Sequence, residues 1–488
     1  TAELAKVLDS LTGTLITARK RLTDTGGEIA MRRLNRREYA NTIRELFGFR
    51  ISVDMIPDDN EAETFDTVGA DQFFSSSHFD KYLELGREIV ARGFEWSAQP
   101  RQPVTTNRRD PEEHVTPRLR TLLADLDNKM RMKKEGKTWQ EMGFKDEGEM
   151  QIVFSQFKNR AGKPRQYLQY PLVESGIYLA GVNNETKRFG INRGGRSADP
   201  RGSYRLRVRG GINGDPPQIR QFVRVTDNAG TVGVARVRGT TTEPQTFEVA
   251  YQGRIGQRAV SLHVEENRAN IRVLDGYLNK IDRGGEWASI WIDWLEIEGP
   301  FYDEERAFFE QLVHPEPPVA KDRPAALKDE DARNLIEQFA FEAFRRNAPS
   351  GEYVDQLVAL FAKNRAAGQN FEQAMGEVFA IVLSSPGFLF LQEAGDDGGR
   401  KRKLDDRELA IRLAYFLWSS PPDEELYTCV ADGSLSQWEV LRTQTDRMLG
   451  DPKAASFFEG FMSQWAELDR FNAITVDENK FFRFNEGI

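Results

Sequence analysis

Apolar residues recur along the first hundred positions at the three-to-four spacing of a helix. Leu34, Tyr39, Ile43, Leu46 and Phe47 make one stripe, and Phe79, Tyr82, Leu83, Leu85 and Ile89 a second. The spacing predicts two helices joined by an ordered loop over 56–74, where Pro57, Asp58, Asp59, Asn60 and Gly69 interrupt any repeat. Residues 97–118, rich in Pro, Arg and Gln, read as a linker. A second helical patch follows, with Leu122, Leu123, Leu126 and Met130 on one face and Met150, Val153, Phe154 and Phe157 on another. Near Tyr167 the period changes to two. Runs at 204–209, 222–225, 232–237, 247–251, 260–264 and 290–297 alternate apolar and polar positions, and 18 of the chain's 40 glycines lie within 167–300, where tight turns need positive φ. Six short strands so punctuated predict an antiparallel β-sandwich of jelly-roll type. After residue 301 the helical period returns. Pro315, Pro317, Pro318 and Pro324 make a stiff link, Leu335, Ile336, Phe339, Ala343 and Phe344 form a stripe behind the capping candidates Asp329 and Asp331, and helices are predicted over 353–363, 371–383, 405–418, 436–449 and 452–468. The expected architecture is a multidomain α plus β chain. It runs from an N-terminal helical domain with a long acidic loop (1–98) through a linker and helical insert (99–166) to a central antiparallel jelly-roll-like sandwich (167–300). A C-terminal helical array follows (301–398 and 399–488), its last domain reading as incomplete.

Composition narrows the function classes. The 488 residues carry 67 Lys+Arg against 76 Asp+Glu, a net −9, which argues against a general nucleic-acid binder because a phosphate-tracking surface leaves a basic excess. The charge is uneven. Within 167–300, 16 Arg and 2 Lys stand against 15 acids, a local +3, so the other 354 residues carry −12. The one cysteine, Cys429, excludes an internal disulfide, a Cys-rich zinc site and the Cys-x-x-Cys-His attachment of covalent haem within this sequence. No run of about 18 apolar residues predicts a membrane span. Thr at position 1 and the Phe-rich stop at Ile488 read as a processed or cut chain.

Several strings then stand together. Met31-Arg-Arg-Leu-Asn-Arg-Arg-Glu-Tyr, followed by Asn41-Thr-Ile-Arg-Glu-Leu-Phe-Gly, resembles the opening signature of planctomycete-type, cytochrome-c-associated proteins built from serial domains of unknown function. Ile56-Pro-Asp-Asp-Asn, Phe65-Asp and Lys81-Tyr-Leu fit the same first domain. Phe339-Ala-Phe-Glu-Ala-Phe-Arg-Arg and Val382-Leu-Ser-Ser-Pro-Gly-Phe-Leu-Phe resemble a later helical domain, and Leu413-Ala-Tyr-Phe-Leu-Trp-Ser-Ser-Pro-Pro-Asp-Glu-Glu-Leu the next. Trp291-Ile-Asp-Trp-Leu-Glu-Ile-Glu-Gly-Pro looks like the final strand of a carbohydrate-binding-like sandwich. The resemblance implies an exported, extracytoplasmic protein without an established activity. It also implies a c-type cytochrome segment upstream and further helical domains downstream, so haem would belong to segments beyond this sequence or to a partner.

Candidate chemistry concentrates in four places. The acidic loop Asp58, Asp59, Asn60, Glu61, Glu63 and Asp66 reads as a loop of Asx turns, since its spacing lacks the alternation and glycine of a helix-loop-helix calcium site. Arg32, Arg33, Arg36 and Arg37 can clamp an anion, but Glu38, Glu45 and the acidic loop favour an internal salt-bridge network. His78 reads as a residue of a helix's first turn and His263 as a solvent-facing strand residue. The last strand carries the sharpest candidate. Strict alternation puts Trp291, Asp293, Leu295 and Ile297 on one face and Ile292, Trp294, Glu296 and Glu298 on the other, so Asp293 would need an Arg or a cation as partner. A glycan site needs aromatic platforms and planar polar groups, for which Trp287, Trp294, Asn183, Asn184, Asp199, Arg196 and Asp293 are candidates, with Asp293 and Glu296 as ligands for an assisting Ca²⁺. Three functions follow: a glycan-binding scaffold that assembles with a cytochrome or other envelope partner, a polysaccharide-active enzyme with a carboxylate-based site, and a purely structural subunit.

Overall fold

The computed structural model describes residues 13, 32–52, 55–57, 65–68, 75–157, 168, 175–179, 188–213, 221–264, 289–318, 327–391 and 403–468, which fall into a helical unit and a sandwich unit. Its strands, in chain order, are β1 (Arg32–Arg33), β2 (Thr105–Arg109), β3 (Ile177–Leu179), β4 (Arg188–Asn192), β5 (Ser203–Asn213) and β6 (Phe222–Asp227). They continue as β7 (Gly230–Arg236), β8 (Gln245–Gln252), β9 (Ala259–His263), β10 (Ser289–Phe301) and β11 (Phe390–Leu391). The chain is thus α plus β, with antiparallel sheets.

The helical unit combines residues from both ends of the described chain. Its first helix, Arg36–Phe47, starts where the Asn35 side chain accepts from the Glu38 N–H at 2.8 Å and the Glu38 carboxylate accepts from the Asn35 N–H at 3.1 Å, a reciprocal cap that satisfies two otherwise orphaned donors. Tyr39, Ile43, Leu46 and Phe47 are buried, as their spacing predicts. Just before it, β1 pairs antiparallel with β11, tying the N-terminal segment to the 331–391 region. The Ser76–Ser97 helix is capped by Ser75, with His78 returning the bond from the third helical position, so His78 is the helix-start residue expected of it. That helix packs on Phe371–Ser384, and Gly86 permits the contact because a Cβ there would meet the Ala380 carbonyl oxygen at 3.1 Å. Phe47, Phe94, Phe309, Phe339 and Phe379 fill the space between helices, with Phe339 and Phe379 stacked at 4.1 Å. Aromatic contacts of this kind add about 0.5–1.5 kcal/mol each beyond burial.

Later helices match their spacing as Gly351–Ala366, Phe371–Ser384, Asp406–Leu417 and Trp438–Gly450. The stretch 452–468 differs. Instead of one helix it forms a 3₁₀ turn (Pro452–Ala454), an α turn (Ala455–Phe457), a π turn (Phe458–Met462) and a final α turn (Ser463–Trp465). The Arg37 guanidinium lies against Gly460 inside the π turn, where a side chain would collide with it.

In the sandwich unit, one sheet runs β2-β10-β5-β8, with β3 also on β10, and the other runs β4-β9-β6-β7, all pairs antiparallel. The six predicted strands are present. The supposed linker 97–118 differs, since it holds β2 and the start of the helix Pro111–Lys134. Thr105 to Arg109 has no apolar alternation to betray it, and it is a strand because the long β10 offers its backbone an edge. Ile177, Leu206, Val208, Val223, Val225, Leu262, Ile292 and Leu295, each at most 1% exposed, form the layer between the sheets. The helical insert has its own small core of Leu123, Leu126, Met142, Phe144 and Val153.

Candidate functional site: the outer face of the five-stranded sheet

The face of the five-stranded sheet turned away from this core is built by alternation, with one interruption. Ile292 lies opposite Gly210 while Trp294 lies opposite Arg209, so Asp293 is an extra residue, a β-bulge. The bulge resets the phase. Ile290 and Ile292 point inward before it, and Leu295 and Ile297 after it. Strict alternation therefore fails here: Asp293 does not share the face of Leu295 and Ile297, and it is not an inward carboxylate. It receives the Arg209 guanidinium at 2.5 Å, the arginine partner that an acid in this strand calls for.

Beyond the bulge, residues of neighbouring strands meet in rows. Glu296 stands between Arg108 on β2 and Arg207 on β5, and Arg207 stands opposite Glu248 on β8. Arg207 reaches three carboxylates, at 3.4 Å to Glu248, 3.3 Å to Glu296 and 3.1 Å to Glu298. The last is an ion pair without hydrogen-bond alignment, since Glu298 Oε2 has no aligned donor. The Glu248 hydrogen bond and the Glu298 charge push the Arg207 pKa above its usual value. Arg108 stacks on Trp294 with its guanidinium carbon 4.3 Å from the ring centroid and grips Asp110 with two hydrogen bonds, at 2.8 and 3.0 Å. Arg205 covers Phe301 at 4.5 Å. Four guanidinia thus face five carboxylates, so this surface is close to neutral although the 167–300 stretch is basic.

The remaining sequence candidates lie elsewhere. Asp199 is buried in the turn before β5, where it accepts Arg201 at 2.8 and 3.0 Å and the Tyr302 hydroxyl at 2.7 Å. Burial alone would raise its pKa, but the bonds and charge of Arg201 and the Tyr302 hydroxyl hold it below the usual carboxylate range. Asp199 therefore braces the fold. Arg196 is exposed on the nearby loop. Trp287, Asn183 and Asn184 lie outside the described residues. Of the sequence candidates, the structure brings together Asp293, Trp294 and Glu296. It adds Arg108, Arg205, Arg207, Arg209 and Glu248, which sequence reasoning missed. Their signal was a period-two Arg run at 205, 207 and 209 opposite Glu296 and Glu298, readable only once the strand pairing is known.

Calcium does not fit Asp293 and Glu296. The ion takes six to eight oxygens, whereas both carboxylates are committed to guanidinia, and among the described residues no group of three or more His, Cys, Asp or Glu is arranged to hold a metal. The Arg cluster of the helical unit likewise turns inward, as its acidic neighbours suggested. Arg32 grips Glu38 at 2.7 and 2.9 Å, Arg33 binds the Tyr82 hydroxyl, Arg36 donates to the Pro57 carbonyl and Arg37 reaches Ser419 and Asp66.

The geometry defines a chain with a helical unit and an antiparallel sandwich unit. Comparison with known proteins adds family matches over parts of it. Residues 32–95 match a family described as protein of unknown function DUF1587, residues 331–393 one described as protein of unknown function DUF1595, and residues 404–488 one described as protein of unknown function DUF1592. No curated protein matches. Among solved structures, the chain is similar to the crystal structure of the CBM36-1 domain of a multidomain xylanase from the hindgut metagenome of Trinervitermes trinervoides. The identity is 18%, over 27% of this chain and 82% of that one, with a TM-score of 0.18. No described helix is long and apolar enough to cross a membrane.

Proposed function

We propose that this chain is an extracytoplasmic binding and scaffolding protein whose sandwich holds a neutral glycan on the outer face of its five-stranded sheet. The observation that carries the reading is Trp294 set beside a lattice of planar guanidinium and carboxylate groups that hold one another in fixed orientations. Such groups pair with vicinal hydroxyls, the part of the half-buried indole that Arg108 leaves open can meet sugar C–H groups, and the near-neutral charge supplies no field to favour a polyanion. Because Asp293, Glu248, Glu296 and Glu298 are held by arginines, the face suits binding better than proton transfer. That favours the scaffold over a polysaccharide-active enzyme. A cytochrome or another envelope partner for the helical unit rests on the resemblance of the signature strings. Exposed Phe416, Phe458 and Trp465 offer apolar surface for such an assembly.

The test is affinity electrophoresis of the full chain through a panel of neutral polysaccharides and polyanions. Retardation by a neutral polymer is expected, unaffected by a chelator. Trp294→Ala should weaken it at least tenfold with an unaltered circular dichroism spectrum. Free migration through every neutral polysaccharide would overturn the proposal.

A further inference from the structure

Trp294 has a counterpart at the far end of its strand. Phe301, the last residue of β10, is half-buried like Trp294 and, like it, lies under a guanidinium. The guanidinium carbon of Arg205 is 4.5 Å from the Phe301 ring centroid, and that of Arg108 is 4.3 Å from the Trp294 centroid. Arg205 shares the outer face of β5 with Arg207 and Arg209. The register shift between Glu298 and Phe301 sets Phe301 opposite Ser203, two residues from Arg205 on that neighbouring strand, so the ring meets Arg205 on the diagonal.

Two aromatic–guanidinium stacks thus stand on one face, at either end of one stretch of strand. From position 294 to 301 an extended backbone covers roughly 20 Å. The groups between the stacks are fixed in orientation, since Arg207 holds Glu296 at 3.3 Å and Glu298 at 3.1 Å and reaches Glu248 on β8 at 3.4 Å. Trp291 does not lengthen the row. Its indole N–H donates to the Ser175 carbonyl at 2.9 Å, and its side chain is buried. The row therefore has a definite length, from Trp294 to Phe301.

We infer that the sandwich recognises an extended stretch of about four consecutive sugar units of a linear glycan, laid along β10 from the Trp294 stack to the Phe301 stack. This rests on the glycan reading above and adds a ligand length to it. Either stack alone holds a sugar weakly, because Arg108 and Arg205 keep 46% and 47% of their side chains in solvent and each ring is half-buried. A chain long enough to touch both makes the second contact intramolecular, so affinity climbs steeply at the length that bridges them and levels off beyond it.

Calorimetric titration of the full chain tests this with size-fractionated oligosaccharides of two, four and six units, cut from the neutral polysaccharide that retards the chain most strongly. The tetramer should bind at least tenfold more tightly than the dimer, and the hexamer within about twofold of the tetramer. Phe301→Ala and Arg205→Gln, which dismantle the far stack from its two sides, should each weaken the tetramer at least fivefold and leave the dimer within about twofold of wild type. A merely structural role would weaken both ligands alike. A dimer that binds as tightly as the hexamer, a further tenfold gain from four units to six, or wild-type tetramer affinity in both variants would each overturn the inference while leaving glycan binding in place. Free migration through every neutral polysaccharide would remove the glycan reading, and this inference with it.

Discussion

In the helical unit, Arg33, Asn35, Glu38 and Thr42 are each about 1% exposed, although they lie in or beside a highly charged, Arg-rich string. In the sandwich unit, Arg205, Arg207 and Arg209 keep 36–47% of their side chains in solvent. The residue types are the same and their work is opposite. Around Glu38 the polar groups pair mainly with one another inside the protein, with the Asn35 Nδ2 left buried without a hydrogen bond. Asn35 and Glu38 cap the first helix, Arg32 neutralises Glu38, and Thr42 bonds both the Glu38 carbonyl at 2.7 Å and the Tyr415 hydroxyl at 2.9 Å. On the sheet, the groups satisfy one another at a surface and stay open to a ligand. A dense charged motif is thus no guide to a binding site until the direction of its side chains is known.

The sharpest way to break this contrast is at Glu38. Glu38→Ala removes the helix cap and leaves Arg32 facing an emptied polar site, a loss of about 3–4 kcal/mol. Hydrogen exchange read by mass spectrometry should show faster exchange across 36–47, while peptides from 204–209 keep their protection. Equal exchange in both would mean that the Arg-rich string is not internal cement.

Next in size is the strand with the bulge. Ile292 is fully buried between the sheets, so Ile292→Ala should cost about 2–4 kcal/mol in urea unfolding through the lost transfer energy and the cavity left behind. A cost below about 1 kcal/mol would place Ile292 on the solvent side, as strict alternation has it, and dissolve the outer face described above.

That strand also shows what a sequence can carry. Helical stripes such as Tyr39, Ile43 and Leu46 were legible because packing and local period agree. The six strands from 204 to 297 were legible for the same reason. The pairing of β1 with β11 was not, because it joins segments more than 350 residues apart through backbone groups that every residue possesses. Strand β2 was hidden because its five polar residues are fixed by an edge of β10 and not by a buried face. The candidate site was half legible. Trp294 and Glu296 were named from their own strand, but their neighbours depend on register, and the bulge at Asp293 leaves no mark in a sequence where Ile-Trp-Ile-Asp-Trp-Leu already alternates plausibly in either phase.

The smallest expected effect is the most discriminating. If Asp293 were an inward carboxylate sharing the core face with Leu295, Asp293→Ala would leave a cationic partner buried and cost several kcal/mol. In the bulge, its partner Arg209 keeps 42% of its side chain in solvent, so water replaces the lost ion pair and the cost should stay below about 1 kcal/mol. Binding should respond more strongly than stability. Freed from Asp293, Arg209 no longer has a fixed orientation beside Trp294, so a ligand must spend part of its binding free energy ordering that guanidinium. Urea unfolding and affinity electrophoresis of the same Asp293→Ala protein therefore separate the two roles. Near wild-type stability with several-fold weaker glycan retention fits an outer binding face. A large loss of stability would return Asp293 to the core, and unchanged retention would remove it from the ligand's footprint.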